Sequence, residues 1–86
     1  MEFKRGTVVI SSAGHDSGRW MVVVETAGNF ALVADGKERK LEKPKKKNLK
    51  HIRYTQKFIE LDGITNRKLR QALCTLAGNN QVLESE

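Results

Sequence analysis

Cysteine occurs once in this chain, at Cys74. A single thiol excludes an internal disulfide and a zinc site built from several cysteines. No uncharged apolar stretch is longer than the five residues Trp20 to Val24, far short of the roughly 20 that a membrane helix needs. The first residues, Met1 to Gly6, hold no basic segment followed by an apolar core, so they read as the start of a mature chain. The two histidines, His15 and His51, are 36 positions apart, and neither has a carboxylate pair or a second ligand at recognisable spacing. His15, Asp16 and Ser17 spell the letters of a catalytic triad, but neighbours along a chain do not build one. The glycine-rich stretch Gly14 to Gly18 lacks the Lys-Ser/Thr ending of a phosphate-binding loop of ATPase type. These absences predict no enzyme, no metal and no cofactor.

What is present is a small, charged, folded composition. The 86 residues are 38% hydrophobic and 30% charged, which suits one globular domain with a modest core. The net charge of +6 is unevenly placed. Residues 37–53 carry nine basic groups against Glu38 and Glu42, a local +7, while the other 69 residues sum to −1. Crowding like charges costs self-repulsion, which a polyanion relieves. Nucleic acid is the commonest such partner and an anionic membrane surface the second; a solvated basic loop is the plainer alternative.

Thr7 to Ile10 is β-branched throughout and is bounded by Gly6 and by Ser11-Ser12-Ala13-Gly14, which predicts a short strand. Trp20 to Glu25 and Phe30 to Ala34 predict two more, separated by a turn at Ala27-Gly28-Asn29. Asp35-Gly36 suits a two-residue hairpin, with Lys37 to Leu41 returning as a fourth, polar strand. Pro44 predicts that Glu42 to Lys47 leaves the sheet, and Ile52-Arg53-Tyr54 predicts a short closing strand. Short connections make the strands an antiparallel meander. The apolar run Met21 to Val24 calls for burial on both sides, as in a tightly curled small barrel. After Asp62-Gly63, residues Thr65, Leu69, Ala72, Leu73 and Leu76 share one helical face, with Cys74 about 140° away from Leu69. Gly78-Asn79-Asn80 is expected to end that helix and Gln81 to Glu86 to form a tail. Domain organisation is read as 1–60, a barrel with its basic segment at 37–53, followed by 61–86, a helix and tail.

The arrangement Gly6-x-Val8-Val9, Gly14-x-Asp16-x-Gly18-Arg19, Val22-Val23-Val24 and Val33-Ala34-Asp35-Gly36 resembles the KOW motif, with Gly18 at the position of the family's hallmark loop glycine. The likeness continues through Lys40-Leu41-Glu42-Lys43-Pro44-Lys45-Lys46-Lys47-Asn48-Leu49-Lys50-His51. The stretch is similar to the KOW-type large-subunit ribosomal proteins of archaea and eukaryotes and to their small bacterial relatives. The resemblance implies a mainly β fold, a small SH3-like antiparallel β-barrel of five strands, here with a C-terminal α-helix. It implies binding to structured RNA, above all ribosomal RNA, and hence a ribosome- or translation-associated protein, while the composition adds the expectation of a cytoplasmic monomer with no membrane partner. The rival expectation is a protein-interaction module whose basic face meets an acidic partner and whose helix stripe packs on that partner.

Candidate contact residues follow from the chemistry of phosphate. Gly14 and Gly18 let backbone amides approach an anion closely, or serve turn geometry alone. Arg19 suits a forked contact with a phosphate or a guanine edge, or is a solvated strand-end cation. His15 and Ser17 stand in the same loop, His15 to stack on or bond to a base, while Asp16 is expected to cap the turn. Lys40, Lys43, Lys45, Lys46, Lys47 and Lys50, with His51, are expected to engage the backbone as point charges. Five phosphates so engaged give a slope of log K against log salt of roughly −3.5 to −4.5. Arg67, Lys68 and Arg70 oppose the helix dipole at about 0.3–1 kcal/mol each. They therefore suggest a second phosphate contact, unless Glu60 or Asp62 compensates them. The five aromatics form no stacking platform on one strand; Phe30 is expected in the core, and Trp20 either packs at the barrel rim or stacks on a ligand. RNA read through its backbone shape fits this inventory better than single strands read by stacking.

Overall fold

In the computed structural model, which describes residues 3–85 and only the backbone of residues 78–85, five strands form one antiparallel sheet and a single helix follows. The strands are β1 (Thr7–Ser11), β2 (Trp20–Ala27), β3 (Phe30–Ala34), β4 (Lys45–Asn48) and β5 (Ile52–Phe58), and the helix is α1 (Asn66–Ser85). Their order across the sheet is β4-β3-β2-β1-β5. Strands β4 and β5 are consecutive in sequence yet occupy opposite edges, and one 3-10 turn, Leu49–His51, joins them. So short a link between two edges requires the sheet to curl on itself, which is the SH3-like barrel geometry.

The β-branched sequences divide cleanly between two apolar layers. Val9, Met21, Val23, Ala31, Val33 and Ile52 point into the curl. Val8, Val22 and Ala34 point the other way and meet Ile59, Leu61, Leu69 and Leu73 beneath α1. The two-sided burial expected of Met21 to Val24 is therefore real, but the helix supplies the second cover. Full burial of one such Leu or Val side chain contributes about 1.5–3 kcal/mol. The helical stripe Leu69 and Leu73 is buried against the sheet of its own chain. One register shift, between Val23 and Glu25 opposite β3, inserts an extra residue into β2 and adds twist.

Four local expectations are overturned. Lys37 to Leu41 forms no strand. The Asp35 carboxylate accepts hydrogen bonds from the Lys37 and Arg39 amides, both 2.9 Å, and Asp35 N donates to Arg39 O at 2.8 Å, so a wide loop replaces the tight hairpin. Nor does Pro44 keep the lysine run out of the sheet. It stands just before β4, where its missing N–H removes no ladder bond, and Lys45, Lys46 and Lys47 pair with Val33, Leu32 and Ala31. Phe30 lies on the outer face of β3 and is 37% exposed, because the inner face of that strand belongs to Ala31 and Val33. Finally, α1 runs through Gly78-Asn79-Asn80 to Ser85. Glycine costs about 1 kcal/mol inside a helix relative to alanine, which is a penalty and not a stop. The end of the expected tail, Glu86, lies outside the described residues.

Candidate nucleic-acid interface

The loop between β1 and β2 is held by its own backbone. Ser17 N donates to Gly14 O at 3.1 Å, Arg19 N to Asp16 O at 2.8 Å and Gly18 N to Ser11 O at 2.7 Å. Gly14 and Gly18 take φ of +78° and +85°, where a side chain is strained. This geometry leaves His15 and Ser17 exposed at the tip and turns Asp16 inward until it is 4% exposed.

Asp16 does not cap the turn, since no amide donates to its side chain among the described residues; it gathers cations instead. Its Oδ2 lies 3.4 Å from Arg39 Nη2 and 3.6 Å from Lys45 Nζ, and its Oδ1 lies 3.6 Å from Arg19 Nε. Arg19 turns its Nη1 to the second buried acid, Asp35, at 2.9 Å. Burial by itself would raise the Asp16 carboxyl, but the charges of Arg39, Lys45 and Lys47 outweigh it and hold Asp16 below its ordinary value. Burial likewise opposes ionisation of Asp35, and the amides of Arg39 and Lys37 with the Arg19 guanidinium bring it down. The Nε atoms of Arg19 and Arg39 are buried without hydrogen-bond partners among the described residues. Two acids thus organise more positive charge than they neutralise.

Strand pleating sorts the lysine run. Lys47 shares the inward face with Ala31, is 8% exposed, and donates its ammonium to Ala13 O at 2.8 Å. It ties β4 to the β1–β2 loop and has little surface left for a ligand. Lys46 points outward and sits 4.3 Å from the centroid of the Phe30 ring. Lys50 and the exposed His51 occupy the 3-10 turn after β4, which Ser12 N fastens to the same loop through His51 O at 2.8 Å. Lys37, Lys40, Lys43, Lys46, Lys50 and Arg53 are exposed and form no ion pair among the described residues.

The helix cations join this surface through a contact that the sequence reading missed. Asn66 Oδ1 accepts from Leu41 N at 2.7 Å, and Asn66 Nδ2 donates to Glu42 Oε1 at 2.8 Å. The hydrogen bond from Asn66 holds the Glu42 carboxyl below its usual value. These bonds dock the 35–42 loop on the first turn of α1, so Lys40, Arg67 and Arg70 line one cleft of about 460 Å³. Lys68 is exposed and does not line it. Neither Glu60 nor Asp62 forms an ion pair with the three helix cations among the described residues. Asn66 is a neutral residue just ahead of Arg67 and Lys68, and only its bond to the Leu41 amide, 25 residues away, reveals its role.

Among the described residues no group of three or more His, Cys, Asp or Glu side chains is placed to hold a metal ion, and no helix is long and apolar enough to cross a membrane. No protein-family model matches the chain. Across 70 residues it is 31% identical to a protein of the archaeon Sulfolobus acidocaldarius, named large ribosomal subunit protein eL14. The match covers 79% of this chain and 73% of that protein.

Proposed function

The chain belongs to the family of the large ribosomal subunit protein eL14, a KOW-type protein, and on that premise we propose that it binds structured RNA, ribosomal RNA foremost, in association with the ribosome. The observation that carries the reading is the surplus of exposed cations over the acids that could neutralise them. Asp16 and Asp35 engage Arg19, Arg39 and Lys45, while Lys37, Lys40, Lys43, Lys46 and Lys50 stay exposed and unpaired among the described residues. The mechanism is electrostatic docking without turnover. Exposed lysines neutralise phosphates and release their counterions, and the loop of His15 and Ser17 sets the orientation.

Within this reading the candidate residues divide in two. Lys40, Lys43, Lys46, Lys50, His51, His15, Ser17, Arg67, Lys68 and Arg70 meet the RNA. Gly14, Gly18, Lys45 and Lys47 shape the surface that does so, and Arg19 belongs to both groups. Such a protein works as a monomer in the cytoplasm, where ribosomes work.

The test is binding to a structured ribosomal RNA fragment over a salt series. Engagement of about five phosphates gives a slope of roughly −3.5 to −4.5 in log K against log salt. Absence of RNA binding, together with tight binding to an acidic protein, would replace this reading by a protein-interaction module.

A further inference from the structure

Between α1 and the start of β2 lies a second cleft, of about 260 Å³, with a composition unlike the lysine surface. Its floor is apolar, from Trp20, Leu73 and Cys74, and its rim is cationic, from Arg19, Lys37 and Arg70. Asp35 stands in the wall, but its oxygens are engaged by Arg19 Nη1 and by the amides of Lys37 and Arg39. Arg19 offers only Nη1 to a hydrogen bond among the described residues, so its other outer nitrogen remains a donor.

A phosphate backbone alone gains nothing from an apolar floor. A planar heterocycle with a phosphate attached uses both parts, the ring on the indole and aliphatic side chains, the phosphate on the guanidinium and ammonium groups. The volume falls just below the range of about 300–1,000 Å³ typical of small-molecule sites, which suits one ring system and excludes an extended strand. The rim is continuous with the Lys40–Arg67 cleft, because Arg70 and Cys74 line both.

We propose that this cleft takes a single unpaired nucleotide of the bound RNA, its base against Trp20 and its phosphate between Arg19, Lys37 and Arg70. The inference rests on the RNA-binding reading and adds to it a local structural preference. A paired helix docks through the lysines alone, whereas an RNA with one extruded nucleotide gains a further contact. Stacking of one base on an aromatic ring is worth at least about fivefold in affinity.

Two built-in probes make the test direct, since Trp20 is the chain's single tryptophan and the exposed Cys74 its single cysteine. Three probes are compared: an RNA hairpin with a one-nucleotide bulge, the same hairpin fully paired, and a free nucleoside 5′-monophosphate. The bulged hairpin is expected to bind about five- to tenfold tighter than the paired one, to quench Trp20 fluorescence, and to slow alkylation of Cys74. Arg70→Glu, on an exposed helix position, is expected to abolish that preference with the circular dichroism spectrum unchanged. Equal affinity for both hairpins with Cys74 alkylated at its free rate overturns the inference and leaves the RNA reading standing. Failure of both hairpins to bind sinks the RNA reading and this inference with it. Protection of Cys74 by the free monophosphate as good as that by the bulged hairpin at equal concentration also overturns it, in favour of a site for free nucleotides.

Discussion

Gly36 lies directly against Asn66: a Cβ built on Gly36 would overlap the Asn66 carbonyl oxygen and come within 3.0 Å of Arg70 N. Its φ of +80° adds a second demand that only glycine meets without strain. The missing side chain at Gly36 is what lets the basic loop settle on the helix, where the Asn66 bonds hold it. Gly36→Ala is therefore expected to destabilise the protein by roughly 2–3 kcal/mol, the left-handed backbone and the backbone overlap together. Gly18, with φ of +85° but no atom within 4 Å of its Cβ position, provides the control. Gly18→Ala should cost only about 1–2 kcal/mol. Urea midpoints of the two variants separate the effects, and equal losses would contradict the docking role of Gly36.

Two adjacent lysines on β4 should behave as different kinds of residue. Lys46 is exposed over the Phe30 ring, and Lys47 is buried on Ala13 O. Lys46→Ala loses a surface cation–π contact of about 0.5–1 kcal/mol and should make the slope of RNA binding against salt shallower by about 1. Lys47→Met keeps the aliphatic stem but drops a charged hydrogen bond, costing about 1.5–3 kcal/mol of stability, with the salt slope of the folded protein unchanged. Equal effects of the two substitutions on the slope would show that pleating does not sort this run.

That alternation marks where the sequence stops being legible. Thr7 to Ile10, Trp20 to Glu25 and Phe30 to Ala34 declare themselves by β-branched and aromatic content, and Leu69 and Leu73 by helical spacing. Strand β4 does not, because a lysine run after a proline has poor strand propensity and its partner is chosen by register with β3. The burial of Lys47 and the exposure of Phe30 come from that same register. Asp16 was legible only as a turn residue, since the cations Arg39 and Lys45 that surround it lie more than 20 positions away. The charge map survives this correction because most of its lysines remain outside the Asp16 network.

Asp16 is the electrostatic centre of the β1–β2 loop, so its removal should be felt in folding. Asp16→Asn leaves Arg39 and Lys45 facing each other without a counter-charge. Their side chains are 33% and 39% exposed, and solvent screening reduces the cost to about 1–2 kcal/mol. For a domain of this size that is a fall in Tm of roughly 5–15 °C. An unchanged Tm would mean that the cations relax freely into water.

The same acids set the response to pH. Asp16 and Asp35 are both held below their ordinary carboxyl values in the folded chain, as burial is outweighed by cations and donated hydrogen bonds. A carboxyl whose folded pKa is depressed binds its proton more readily once the chain unfolds, so acid favours the unfolded state. Their contribution is complete above the unfolded carboxylate value of about 4 and is lost as pH falls through the lower folded values. Urea unfolding should accordingly give flat stability from about pH 7 to 5 and a decline below about pH 4. In Asp16→Asn and Asp35→Asn the acid limb should be shallower, each variant having lost one proton-linked group. An acid limb of wild-type steepness in both variants would assign the decline to other carboxylates and remove Asp16 and Asp35 from the account of stability.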